Sequence, residues 1–88
     1  MSDTETHDFD AIKRTRDEIR LQLHLARAEL LEEWEHAETR FNRLEGEVQR
    51  LRETAAPPAK ELKHAVTELA KDVGETYGRI LDALRRPA

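Results

Sequence analysis

The chain has 88 residues, 39% of them charged and 5% aromatic, with no cysteine and a formal net charge of −4 at pH 7. That length confines it to one small domain. The absent cysteines exclude disulfides and thiolate metal sites, and the acidic balance excludes the global basic field that attracts nucleic acid. Three glycines and three prolines among so many charges suit long, surface-rich helices and not a sandwich or barrel.

Residues 1–8 are acidic and polar and are expected to form a disordered tail. They have neither the basic start nor the apolar run of a signal peptide, and no stretch approaches the ~20 apolar residues of a membrane span. A cytoplasmic protein is therefore expected. Asp8 suits an N-cap and Asp10 a first turn, so the first helix is predicted over 9–54. Its stripe runs Phe9, Ile12, Arg16, Ile19, Leu23, Ala26, Leu30 in steps of three and four, a heptad pattern. It continues Trp34, Ala37, Phe41, Leu44, Val48, Leu51. Two successive steps of four at Ala26, Leu30 and Trp34 make a stutter, which locally unwinds a supercoil.

Leu21, Leu25 and Ala28 form a second apolar stripe, roughly opposite the first at ~100° per residue. A helix apolar on two faces is buried on two faces. The run from Ile19 to Leu25 also alternates as a strand would, but strong helix formers flank it and no partner strand is visible. Gly46 costs about 1 kcal/mol against Ala and the helix is expected to continue through it. A turn is predicted over 55–58, at Ala55-Ala56-Pro57-Pro58, with Pro58 tolerated in the first turn of the next helix. The second helix is predicted over 59–86, with Leu62, Val66, Leu69, Val73, Tyr77, Ile80 and Leu84 as its stripe. Trp34, Phe41, Leu44, Val66, Leu69, Val73 and Tyr77 are the expected core. Ala70, Gly74 and Gly78, four residues apart, would let two helix backbones approach closely.

The expected fold is therefore all-α: an antiparallel helical hairpin with one long and one shorter helix, associating into a coiled-coil-like multi-helix bundle. At about 1.5 Å per residue the two helices would be roughly 70 and 40 Å long, so the first overhangs the second by roughly 18 residues. The overhang carries apolar side chains that need cover from another molecule. The predicted oligomer interface is Ile19, Leu21, Leu23, Leu25, Ala28 and Leu30. Basic residues around Lys13, Arg14, Arg16 and Arg20 precede acidic Glu29, Glu32, Glu33, Glu35 and Glu38. An antiparallel pair of first helices crossing near Leu25 would bring Arg16 and Arg20 near the partner copy's Glu33 and Glu29. Such an isologous homodimer, in effect a four-helix bundle, has the commonest symmetry.

Candidate chemistry is sparse. Glu33-Trp-Glu-His36 and Glu61-Leu-Lys-His64 carry the Glu-x-x-His spacing of carboxylate-bridged metal bundles. His36 lies far around the helix from Trp34 and Phe41, however, and His64 lies opposite Leu62 and Val66, so neither would point into a core. No metal or other cofactor is expected. His24 flanks the apolar zone and is read as a rim residue. No nucleophile set or phosphate loop stands out, so no enzyme is expected. The Lys13-Arg14-Thr15-Arg16 run lacks interleaved aromatics and sits beside acids, so no nucleic-acid partner is expected. Amphipathic helices with Arg, Leu, Trp and Phe can lie on lipid, although Glu32, Glu33 and Glu35 around Trp34 oppose anionic headgroups.

The run Asp17-Glu-Ile-Arg-Leu-Gln-Leu-His-Leu-Ala26, with Glu33-Trp34 and Gly74-Glu-Thr-Tyr-Gly-Arg-Ile80, resembles a group of small, uncharacterised bacterial helical proteins described as apolipoprotein-like for their amphipathic helices. The resemblance spans most of the chain. It implies a soluble bacterial all-helical protein and brings no activity and no functional residues. The expected role is a non-catalytic structural or protein-interaction module that self-associates through its long first helix. The alternative is an amphipathic lipid-surface or hydrophobic-particle binder; a metal-binding bundle using the Glu-x-x-His pairs ranks last.

Overall fold

The computed structural model describes residues 2–53 and 59–86. The fold is all-α, with α1 (Ser2–Gln22), a single 3₁₀ turn (Leu23–Leu25), α2 (Ala28–Glu53) and α3 (Ala59–Arg85). No strand occurs among the described residues. The predicted turn at 55–58 lies outside them.

The backbone of residues 2–8, expected in the tail, is helical and opens α1. The predicted helix over 9–54 needs correction, because its described residues form two α-helices separated by the 3₁₀ turn. The backbone leaves helical geometry after Gln22 and is extended at Ala26, with φ −77° and ψ 139°. The longest dimension of the molecule is 49 Å, well short of the roughly 70 Å of an unbroken helix. A three-helix bundle therefore replaces the long-and-short hairpin, and there is no overhang.

The reason is energetic. Folding back lets α1 bury Phe9, Ile12 and Ile19 inside its own chain, each worth about 1.5–3 kcal/mol. Breaking the helix gives up roughly four intrahelical hydrogen bonds, each worth about 0.5–1.5 kcal/mol net once water replaces the partner. In a single chain the burial wins.

The helices run up, down and up. Phe9 stacks on Phe41 with centroids 6.0 Å apart while Arg16 pairs with Glu38, so α1 and α2 are antiparallel. Arg40 pairs with Asp72 and Trp34 meets Tyr77, so α2 and α3 are antiparallel too. α3 packs along both other helices, which explains its wide apolar face. Val73, Tyr77, Ile80, Leu81 and Leu84 are all buried, against Trp34, Ala37, Phe41 and Leu44 of α2 and the three α1 residues. Val66, Leu69 and Ala70 pack at the margin of this core.

Of the three small residues on α3, Gly74 makes the close approach. A Cβ there would lie 3.4 Å from Ile12 Cγ1. Ala70 lies beside it in the groove facing α1, whereas Gly78 faces open space, as does Gly46.

Candidate functional site

Each helix contributes one polar side chain to a single cluster. Arg16 of α1 donates from Nε and Nη2 to the two carboxylate oxygens of Glu38 on α2, at 2.8 and 2.9 Å. The Tyr77 hydroxyl of α3 donates to the same carboxylate. The Arg16 guanidinium lies over the Phe41 ring, 4.4 Å from its centroid, and Tyr77 is flanked by Trp34 and Phe41. A bidentate arginine–carboxylate pair is directional and charge-assisted, so it fixes the height of α1 against α2 while the phenol fixes α3.

The electrostatics follow from this geometry. The hydrogen bond to Glu38 raises the Arg16 pKa against an opposing effect of partial burial. Burial alone would raise the Glu38 carboxyl; the hydrogen bonds from Arg16 and Tyr77 and the charges of Arg16 and Arg20 outweigh it and hold the group below its ordinary range. Burial, then the hydrogen bond to Glu38 and its charge, push the Tyr77 phenol up. With three donors on Glu38, from two other helices, the cluster ties all three helices together.

A second feature lies at the break. Leu21 is 78% exposed, Leu25 58% and Leu31 38%. Leu25 also lines a groove of about 610 Å³, together with Leu30 and Leu84 and with Arg27, Arg86, Glu29 and Glu33. A smaller groove of about 410 Å³ runs between α1 and α3 over Ala11, Ile12, Thr15, Ala70 and Gly74.

The predicted interface residues divide accordingly. Ile19 is fully buried in its own chain, and Leu23 and Leu30 pack against that core. Ile19 is thus taken up by the intramolecular core, whereas Leu23 and Leu30 stay partly exposed and Leu30 lines the groove. Leu21, Leu25 and Ala28 are exposed. Arg16 is engaged with Glu38 of its own chain and not with a partner's Glu33; Arg20, Glu29 and Glu33 are exposed.

The metal candidates Glu33, His36, Glu61 and His64 are all exposed. With Arg40 opposite Asp72, His36 and His64 are displaced in opposite directions, roughly 18 Å apart along the axis. No group of three His, Asp or Glu side chains able to hold a metal occurs among the described residues. No described helix is long and apolar enough to cross a membrane.

Sequence reasoning missed the Arg16–Glu38–Tyr77 cluster, although its signal was present. An arginine on an apolar stripe needs a carboxylate, and Glu38 sits next to Ala37 on the facing stripe. No protein-family model, curated protein or solved structure matches the chain.

Proposed function

We propose that the chain is a non-catalytic structural or protein-interaction module that self-associates, with a two-fold homodimer as its smallest assembly, through the surface around the break. The observation that carries this reading is the exposure of Leu21, Leu25 and Leu31 on either side of the break, with Leu25 also lining a groove there. Single exposed leucines need no explanation, whereas several near one turn, one of them in a groove, support an interaction surface. The groove carries Arg27 and Arg86 as well as Glu29 and Glu33. A rim with both signs is self-complementary across a two-fold axis, which favours a second copy of this chain as the occupant.

Light scattering coupled to size exclusion, over a range of concentrations, tests it. The unmodified chain is expected to run as a dimer or larger, and Leu25→Glu to run smaller. A monomer at every concentration, or an unchanged mass for the variant, would sink the reading.

The lipid-surface alternative draws on the same leucines, flanked here by exposed Arg20 and Arg27, and on the apolipoprotein-like resemblance. It predicts flotation of the protein with anionic phospholipid vesicles, abolished by Leu21→Glu.

A further inference from the structure

The break between α1 and α2 has no local cause. Residues 22–28 read Gln-Leu-His-Leu-Ala-Arg-Ala, with no glycine, no proline and none of the residues that favour N-caps. No residue there adopts positive φ. Gln22 makes no side-chain cap; Ala26 N donates to Leu23 O at 3.0 Å, and Leu31 N donates to Arg27 O at 2.9 Å where α2 begins. The heptad stripe runs through it without losing phase beyond one stutter. The turn persists only because α1 finds cover on α2 and α3, and that cover need not come from the same chain.

The register makes exchange geometrically free. Phe9 meets Phe41 and Arg16 meets Glu38, and the residues midway between these pairs are 25 and 27, inside the break. Two copies with straight first helices, aligned antiparallel in this register, would cross at the break. Each α1 would then meet the other copy's α2 and α3 through the contacts it now makes at home: Phe9 on Phe41, Ile12 on Gly74, and Arg16 on Glu38 with Tyr77.

We propose that the chain forms a domain-swapped dimer in which residues 22–28 become helical, α1 and α2 fuse into one helix, and α1 docks on the second copy. This rests on the self-association reading above and names its mode. Fusion adds the helical hydrogen bonds that the break forgoes and keeps the burial that the break was needed to obtain. It also returns Ile19 and Arg16 to an interface between copies, with no new core to design. The closed bundle and the swapped dimer thus share one core and differ in a single segment, the usual condition for swapping.

Two variants of the full chain test this. Ala28 is the first residue of α2, where proline is well tolerated in the closed form; inside a fused helix the same proline removes a hydrogen bond and clashes with the preceding turn. Ala28→Pro is therefore expected to abolish the dimer and leave a helical monomer, as read by light scattering and circular dichroism. In the second variant, Ile12→Cys with Gly74→Cys places the chain's only two thiols at a close contact between α1 and α3. After mild oxidation of the dimer, denaturing electrophoresis without reductant is expected to show chains linked in pairs. A dimer whose links lie within each chain would overturn the swap and leave self-association standing, and so would an Ala28→Pro variant that remains a dimer. A monomer at every concentration would overturn both. The cysteine variant decides the matter by itself should the proline variant fail to fold.

Discussion

Where Arg16, Glu38 and Tyr77 meet, three helices are held by hydrogen bonds converging on one carboxylate. Between Gln22 and Ala28 the chain turns with no side-chain cap at Gln22, no glycine and no positive φ. The first region is specified by its side chains: a half-buried guanidinium and a phenol both require an acceptor, and Glu38 is the one they share. The second is specified by what lies elsewhere, since the turn exists so that Phe9, Ile12 and Ile19 can reach the core. A junction of the first kind has one answer. A junction of the second kind has as many answers as there are ways to cover the same apolar face.

Removing the shared acceptor should produce the largest effect. Glu38→Ala leaves the Arg16 charge and the Tyr77 hydroxyl partly buried without their partner, which should cost about 2–3 kcal/mol. For a domain of this size that lowers Tm by roughly 10–20 °C, read by thermal circular dichroism. The pH dependence has a definite sign. Glu38 is held below its ordinary range when folded, so its contribution is complete above the unfolded carboxylate pKa and disappears as pH falls through the lower folded value. The unmodified protein should lose stability through that acid window, and Glu38→Gln should flatten that part of the curve.

The fold was partly legible. The α3 stripe, the α2 core of Trp34, Phe41 and Leu44, and the all-helical class follow from spacing, because each side chain's environment is decided by residues a few positions away. The break was not legible for the reason that sets it apart from the cluster. Gly46 carries the weakest helix former in α2 and the helix continues through it; Leu23–Leu25 carry no breaker and the α-helix stops. Local propensity decides neither position, since helix–helix packing outweighs it at both. The stutter near Ala26, expected to unwind a supercoil locally, lies where the chain turns back. The cluster was not legible: segregated charge along a continuous helix points Arg16 toward Glu33 of a second copy, and only the fold-back brings Glu38 and Tyr77 to it.

Gly46 offers a sharper contrast. A Cβ there meets nothing within 4 Å, so Gly46→Ala should stabilise by about 1 kcal/mol through propensity alone. Chemical denaturation should show a higher midpoint at unchanged slope. Because α2 is helical on both sides of any exchange, that gain should appear equally in closed and assembled protein. A gain confined to one of them would mean that α2 is not the same helix in both.

Tyr77 is the chain's only tyrosine, which makes its titration readable by near-ultraviolet absorbance. Burial and Glu38 push its phenol up, so in the folded protein phenolate should appear only well above the ordinary tyrosine range of about 10. The sign here opposes that of Glu38: the contribution is complete below the unfolded tyrosine pKa and fades as pH rises through the folded one. Tyr77→Phe keeps the ring contacts with Trp34 and Phe41 and loses one hydrogen bond, a cost of about 1 kcal/mol. The variant should lack the alkaline loss that the unmodified protein shows.

The smallest effect on the isolated bundle is expected at the break itself. Leu21 and Leu25 are mostly exposed and lie outside the core, so Leu21→Ser with Leu25→Ser should change monomer stability by less than about 0.5 kcal/mol per site. The same pair should weaken self-association strongly if the exposed leucines are its contact surface. Denaturation run at low and high protein concentration separates the two effects, because association stabilises only as concentration exceeds the dissociation constant. The unmodified chain should become more stable with concentration and the double variant should not. Equal concentration dependence in both would take these leucines out of the interface and leave the exchanged α1, buried through Phe9, Ile12 and Ile19, to hold the dimer alone.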